Sequence, residues 1–450
     1  MPLARHVSRT LQLAAPIVVS RAAVLMVNVV DTAMTGWAGT EELAALGLGV
    51  APQLTLQMIA IGFLQATAIL AAQAIGAGRP DQAGMVLRSG LLHALGLGLL
   101  FVLLSFASAW FFRLTGQPED VVAKAAAVSL VFALGLPGML LFVTCNMFLE
   151  ATGRPKTAMT VLIAAALTDV PLNGIFALGW GGFVAPMGAV GAIGTSSLMR
   201  GLAFLVTLAI LLRWEARLGD PRGVLKALRH LGGTSLLGSR LRRIGIPIGL
   251  AQGVESAAFS AMVFLGGAIS TQALAAHQAT LSLLSLLYMS AVGIGGATAI
   301  RIGGAVGRGS ATDLRRAGWS GISLAGAAAL PFAALLLFAP ERVAALFGLE
   351  GEVLRLTAAT IRVAGLVVTI DALMGGSLGA LRGAGDVWVS FAIQSGAFWV
   401  VAVPLAAALG IGAGLGAPGL IYGILAGVTI SFALLAIRFR VIARRVIAPL

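Results

Sequence analysis

The sequence predicts an all-α integral membrane protein whose twelve transmembrane helices form two six-helix lobes. Three observations carry that prediction. The first is composition: 59% of the 450 residues are hydrophobic, 10% are charged, and the mean hydropathy is +0.99. Soluble domains carry about 25% charged residues, and disordered chains are more polar still. The second is an uneven division of Lys and Arg between alternate loops. The third is an internal repeat at half the chain length.

A spanning helix needs about 20 predominantly apolar residues. Charge-free stretches run from Leu43 to Gly78, Ser89 to Phe112, Ala125 to Leu149 and Ala317 to Pro340, while Ser256 to Ile300 and Val387 to Ile437 each hold two spans. The pattern predicts helices at 11–36, 47–76, 88–112, 122–150, 156–179, 188–212, 243–269, 273–303, 316–338, 353–381, 387–409 and 417–438. Breaks fall at Gly- and Pro-rich points such as Gly76-Ala-Gly78-Arg-Pro80 and Gly410-Ile-Gly412-Ala-Gly414. The 59 glycines read as close helix packing, because small residues let backbones approach in a membrane. The first apolar segment carries Arg21 and Asp31 and no small-residue cleavage site, so it reads as a span and not a leader. The single cysteine, Cys145, excludes an intramolecular disulfide and reads as a buried thiol.

With the N-terminus in the cytoplasm, 23 Lys and Arg residues fall on inner segments, four on outer ones, and Arg21, Arg200 and Arg362 within spans. The positive-inside rule then predicts a multi-pass protein of the cytoplasmic (inner) membrane with both termini cytoplasmic. The net charge of +13 is this loop bias, not the clustered face of a nucleic-acid binder.

Shifted by 231, Thr40, Leu43, Ala44, Ala45, Gly76, Gly78, Ser89 and Gly90 fall on Thr271, Leu274, Ala275, Ala276, Gly307, Gly309, Ser320 and Gly321. Shifted by 232, Gly116, Val121, Leu149, Gly153, Ala185, Pro186 and Gly191 fall on Gly348, Val353, Leu381, Gly385, Ala417, Pro418 and Gly423. An even number of spans per copy gives two parallel lobes, expected at 1–213 and 243–450, with a basic linker at 214–242. That linker reads either as a segment lying on anionic headgroups or as a solvated loop. Parallel six-helix repeats are a transporter architecture, with sites near the midplane.

Four acids lie inside predicted spans: Asp31, Asp169, Glu255 and Asp371. An ionisable group at that depth costs about 2.5–3.5 kcal/mol or more and is a functional hypothesis by default. Glu255 stands about 18 Å into helix 7 at 1.5 Å per residue, near the midplane. Asp371 precedes Gly375, Gly376 and Gly379, which leave room for a close neighbour or an opened backbone. Asp169 and Asn173 share a helix face around Pro171. Carboxylate and amide oxygens suit a proton relay or a small hard cation, so a Na⁺ site is expected at Asp31, Asp169 and Asn173 or at Glu255 and Asp371. A carboxylate removed from water resists ionising, and one that exchanges a proton or Na⁺ for an organic cation suffices for antiport.

Seven stretches resemble the multidrug and toxic compound extrusion (MATE) family. They are Val30-Asp31-Thr-Ala-Met-Thr-Gly36, Ala74-Ile-Gly-Ala-Gly78, Leu149-Glu-Ala-Thr-Gly-Arg-Pro155, Pro247-Ile-Gly-Leu-Ala-Gln-Gly-Val-Glu255, Ala275-Ala-His-Gln278, Asp371-Ala-Leu with Leu381-Arg-Gly383, and Ala299-Ile-Arg-Ile-Gly303 running on to Gly307-Arg-Gly309. Their order covers almost the whole chain. The acid set is similar to the NorM-like branch, which places acids on helices 1, 7 and 10, at the positions of Asp31, Glu255 and Asp371. The resemblance implies a V-shaped cleft and export of amphipathic organic cations, drugs or toxic metabolites in exchange for Na⁺ or H⁺. Related branches carry Asn then Asp on helix 5, whereas this chain has Asp169 then Asn173, which leaves the coupling ion open.

Further candidates line the expected substrate cleft: Arg21, Met26, Asn28, Gln252, Phe259, Met262, His277 and Arg362. Arg21 and Arg362 either face the cleft or extend toward the headgroups. His277 is expected to make a structural hydrogen bond, with proton sensing as the alternative. No enzyme motif stands at membrane depth, and no organic cofactor is expected. A monomer in the bilayer with small-molecule substrates and no nucleic acid is the expected state. The alternative function is a lipid-linked saccharide flippase of the same superfamily, which the four buried acids disfavour.

Overall fold

The structure, a computed structural model, describes residues 3–117, 119–229, 235–347 and 350–444. Twelve helices are long and apolar enough to cross a membrane: α1 (Leu3–Ala38), α2 (Thr40–Gly76), α3 (Ala83–Ser105), α4 (Glu119–Ala151), α5 (Pro155–Leu178), α6 (Gly188–Arg217), α7 (Ser235–Ile269), α8 (Thr271–Gly307), α9 (Ala311–Phe338), α10 (Gly351–Gly383), α11 (Val387–Gly412) and α12 (Gly416–Ile442). No strand occurs among the described residues. Helix starts follow capping chemistry where a hydroxyl is available. Ser270 Oγ accepts from the Ala273 amide at the start of α8, and Ser310 Oγ from the Asp313 amide at the start of α9.

The chain forms two compact units, Val19–Gly249 and Met1–Val18 with Leu250–Leu450. These limits differ from the expected 213 and 243. The reason is that α7 begins at Ser235, earlier than hydropathy indicates, and that Thr10 and Val18 of α1 pack on α8. Early α1 joins the second unit: Arg301 donates to Thr10 Oγ1, and Gly293 lies against Val18. Early α7 joins the first unit, where Arg242 reaches His93 Nε2 at 3.3 Å and Gly245 lies against Phe63.

Within the first unit, α4 and α6 approach nearly to backbone contact. A β-carbon on Gly138 would stand 2.9 Å from Gly201 Cα, and one on Gly135 would stand 2.3 Å from Ser197 Oγ. The basic linker docks here: the Gly84 amide donates to Arg222 O at 2.8 Å, and Asp220 caps the short helix Val224–Arg229 through Leu225 and Lys226 amides at 3.0 Å.

Within the second unit, α8 and α10 meet through glycine. A β-carbon on Gly379 would stand 2.2 Å from Gly295 O, and α10 runs unbroken from Gly351 to Gly383. The glycines after Asp371 therefore admit a close neighbour and do not open the backbone.

α5 and α11 show where the repeat has diverged. Val170-Pro171-Leu172 matches Val403-Pro404-Leu405 at a shift of 233, whereas Gly153 and Gly385 match at 232. Between those points α11 widens into a π-helix over Ala397–Ala402, with a second at Ala408–Gly412. A π-turn accommodates one residue more than an α-turn, so it absorbs the insertion. α5 stays α-helical through Pro171.

Candidate functional site

In the first unit Asp31, Asp169, Asn173 and Ser196 converge. α5 presents Asp169 and Asn173 one turn apart, α1 presents Asp31, and α6 presents Ser196. The Asn173 amide nitrogen donates to Asp31 Oδ1 at 2.7 Å and to Asp169 Oδ2 at 2.9 Å. Ser196 Oγ lies 2.8 and 2.7 Å from the two Asp31 oxygens, and 3.2 and 3.3 Å from those of Asp169. One hydroxyl has one proton, so the carboxylates compete for it. They also stand within hydrogen-bonding reach of each other. All four side chains are buried, with Asp169 only 1% exposed. Asn173 Oδ1 has no hydrogen-bond partner among the described residues. Two carboxylates this close, away from water, require a shared proton or a cation. The oxygen-only donor set suits a hard ion.

Arg200 sits one turn beyond Ser196 on α6. Its guanidinium carbon stacks 5.4 Å from the Phe132 ring centroid. It is within electrostatic reach of Asp31 and Asp169. Among the described residues no ion pair joins it to either acid.

In the second unit α7 presents Glu255, α8 Tyr288, α10 Asp371 and α11 Gln394. Gln394 Nε2 donates to Glu255 Oε2 at 2.9 Å, and Trp399 Nε1 donates to Val254 O at 3.1 Å. α11 is thus fastened to α7 at Glu255 and its neighbour. Gln252, one turn before Glu255, hydrogen-bonds Tyr288. Glu255 and Asp371 are within electrostatic reach of each other and of Tyr288. Arg382 supplies buried positive charge near Glu255. Phe259 and Phe398 pack with ring centroids 5.6 Å apart.

The acids predicted from sequence therefore fall into one cluster per unit, with Asn173, Gln252 and Phe259 beside them. Among the described residues no group of three or more His, Cys, Asp or Glu side chains forms a metal cluster, so a cation must be completed by amide, hydroxyl or backbone oxygen. The other residues expected in a cleft have varied surroundings. Met262 is fully buried in the apolar core of the second unit, because its face of α7 packs inward. His277 is fully buried beside Ala273 and Ala276, and among the described residues neither ring nitrogen has a hydrogen-bond partner, so the expected structural hydrogen bond is not found there. Arg362 is exposed and donates to Glu341 at 3.3 Å instead of facing Asp371. Met26 is exposed, and Asn28 is partly buried with its carbonyl accepting from Thr32 at 2.8 Å. The Arg21 side chain lies outside the described residues.

Sequence reasoning missed Ser196, Tyr288, Gln394, Trp399 and the nearness of Arg382. A search for charge alone passes over neutral polar groups. Tyr288, one of two tyrosines in the chain, was the most visible of these.

Residues 16–175 and 247–408 each match the MatE family model. The chain belongs to the MatE family. The two matched stretches are the two copies of the internal repeat. As a MatE chain it is a membrane transporter and not an enzyme. It is 32% identical over 440 residues, 95% of this chain and 94% of the relative, to "Probable multidrug resistance protein NorM" of Deinococcus radiodurans. It is 30% identical over 475 residues, 99% of this chain and 95% of the relative, to "Multidrug resistance protein PmpM" of Pseudomonas aeruginosa. The MatE fold is also that of solved structures. An outward-facing multidrug resistance MATE family transporter superposes with a TM-score of 0.88 at 21% identity, covering 98% of this chain and 97% of the other. A eukaryotic MATE transporter gives 0.85 at 20% identity, covering 98% of both.

Proposed function

We propose that this MatE protein is a secondary antiporter that exports amphipathic organic cations in exchange for H⁺ or Na⁺. The observation that supports it most directly is the buried cluster of Asp31 and Asp169 held by one amide and one hydroxyl. Such a pair is stable only with a cation or proton present, and it changes its hydrogen bonding when that charge leaves. Glu255 and Asp371 form the second exchangeable site, with the partly buried Tyr288 and Phe259 offering aromatic surface to an organic cation. The names of relatives such as the P. aeruginosa PmpM support drug-like substrates. The loop charge bias supports cytoplasmic termini and an inner-membrane location, and the protein acts as a monomer. Four buried carboxylates would repel a pyrophosphate, which disfavours a flippase.

The test is ethidium efflux from proteoliposomes under separately imposed Na⁺ and H⁺ gradients. One gradient drives efflux, and Asp371→Asn abolishes the driven component without changing the melting temperature. Efflux indifferent to both gradients rejects antiport.

A further inference from the structure

We propose that Arg200 is a resident counter-charge for the Asp31–Asp169 pair, limiting that site to one exchangeable cation instead of two. The inference rests on the reading of these acids as a coupling site. Its basis is placement. Arg200 lies twelve residues into α6, about 18 Å along the helix and so near mid-membrane. An arginine there needs a partner. Its backbone is fixed by the close approach of Gly138 to Gly201 and of Gly135 to Ser197. Its head is held on Phe132, one turn from the hydroxyl that touches both acids. The groups facing the acids are then Asn173 from α5, and Ser196 and Arg200 from α6, and only Arg200 is positive.

The repeat supplies an independent observation. At shifts of 231 to 233, Asp31, Asp169, Asn173 and Ser196 fall on Met262, Ala402, Ala406 and Val428, while Arg200 falls on Phe432. The arginine is absent from the lobe whose corresponding positions lack the acids.

The charge arithmetic follows. Two ionised carboxylates and one guanidinium carry a net charge of −1, which one H⁺ or Na⁺ cancels. The ring seat keeps the guanidinium near but out of ion-pair contact, so it lowers cation affinity without closing the site.

The experiment measures ethidium efflux from proteoliposomes, driven by whichever of H⁺ or Na⁺ drives the wild type. It reads the half-saturating concentration of that ion and the number of ions moved per ethidium, for wild type, Arg200→Gln, Arg200→Lys, Phe132→Leu and Asp31→Asn. Arg200→Gln should lower the half-saturating concentration at least about tenfold, the effect of losing a nearby opposite charge, and raise the ion count per ethidium. Arg200→Lys should restore both toward wild type. Phe132→Leu removes the ring seat, frees the guanidinium for the acids, and should move the half-saturating concentration several-fold the other way. That variant decides the matter if Arg200→Gln does not fold. Unchanged ion affinity in Arg200→Gln, or a Phe132→Leu shift of the same sign, overturns the inference. If Asp31→Asn also leaves driven efflux intact, the coupling-site reading itself fails. If Asp31→Asn abolishes it while Arg200→Gln behaves as wild type, only the role of Arg200 fails.

Discussion

Replacing Gln394 with methionine should tighten the grip of the second unit on its driving ion. Gln394 is 1% exposed, and its one side-chain hydrogen bond among the described residues runs from Nε2 to Glu255 Oε2, at 2.9 Å. A buried hydrogen bond to a charged acceptor contributes about 1.5–3 kcal/mol. That bond stabilises Glu255 in its ion-free, ionised form and occupies one of the oxygens an ion would use. Methionine fills the same volume without a donor, so the lost stabilisation falls on the ion-free state alone. At about 1.4 kcal/mol per decade, the half-saturating concentration of the driving ion should drop about 10–150-fold. Maximal turnover should fall with it, because release slows. Proteoliposome efflux titrated with the driving ion reads both quantities. Trp399→Phe is the internal comparison: it removes a neutral donor from the adjacent Val254 carbonyl, worth about 0.5–1.5 kcal/mol, without touching the carboxylate. A Gln394→Met half-saturation within twofold of wild type, or no larger a shift than Trp399→Phe produces, would refute the reasoning.

Three further outcomes follow from packing and burial, each read as a melting temperature in detergent. Gly379→Leu should destabilise by about 1–3 kcal/mol or more, because its β-carbon would stand 2.2 Å from Gly295 O, while Gly296→Leu, with nothing within 4 Å, should be near neutral. His277→Leu should hold or raise the melting temperature, since the imidazole is fully buried with no partner for either nitrogen and leucine removes that desolvation cost. Arg438→Ala should cost about 1.5–3 kcal/mol by breaking a two-pronged, partly buried pair with Asp386 at 2.6 and 3.1 Å, whereas Arg113→Ala should leave the melting temperature unchanged, because the Arg113–Glu119 pair is solvated.

Much of the fold is legible because bilayer physics writes it in composition. A charge-free run such as Ser89 to Phe112 can be little else, and α3 falls at Ala83–Ser105. What hydropathy misses is the polar start of a helix. Arg240 and Arg242 read as linker, yet α7 begins at Ser235, because its first turns find Phe63 and His93 to pack on. The acids are legible for the same reason as the spans: a charge at depth needs a cause. Their partners are not. Ser196 stands in Gly194-Thr-Ser-Ser197, where nothing marks it over Ser197, and only folding shows that Ser196 turns to the acids while Ser197 bonds Val131 O at 3.2 Å. Met262 and His277 illustrate the opposite error. Their residue types fit a cleft, but the face of the helix decides, and an α-helix with apolar residues all round does not reveal which face packs inward.

The two copies have also divided their chemistry, and the helix geometry explains how. In the first copy Asp169 and Asn173 converge on Asp31 because α5 holds an α-helical register, which stacks residues four apart. Their counterparts Ala402 and Ala406 sit at or beside the π-turns of α11, where four residues no longer make a repeat. Those alanines are instead fully buried against α12, so close that a β-carbon on Gly427 or Gly423 would stand 2.5 Å from theirs. A carboxylate there would have neither room nor partner. Conversely Glu255 and Asp371 fall on Val24 and Met139 in the first copy, and Arg382 falls on Glu150, a reversal of sign. Each polar cluster thus stands on side chains that the other copy lacks at the corresponding positions.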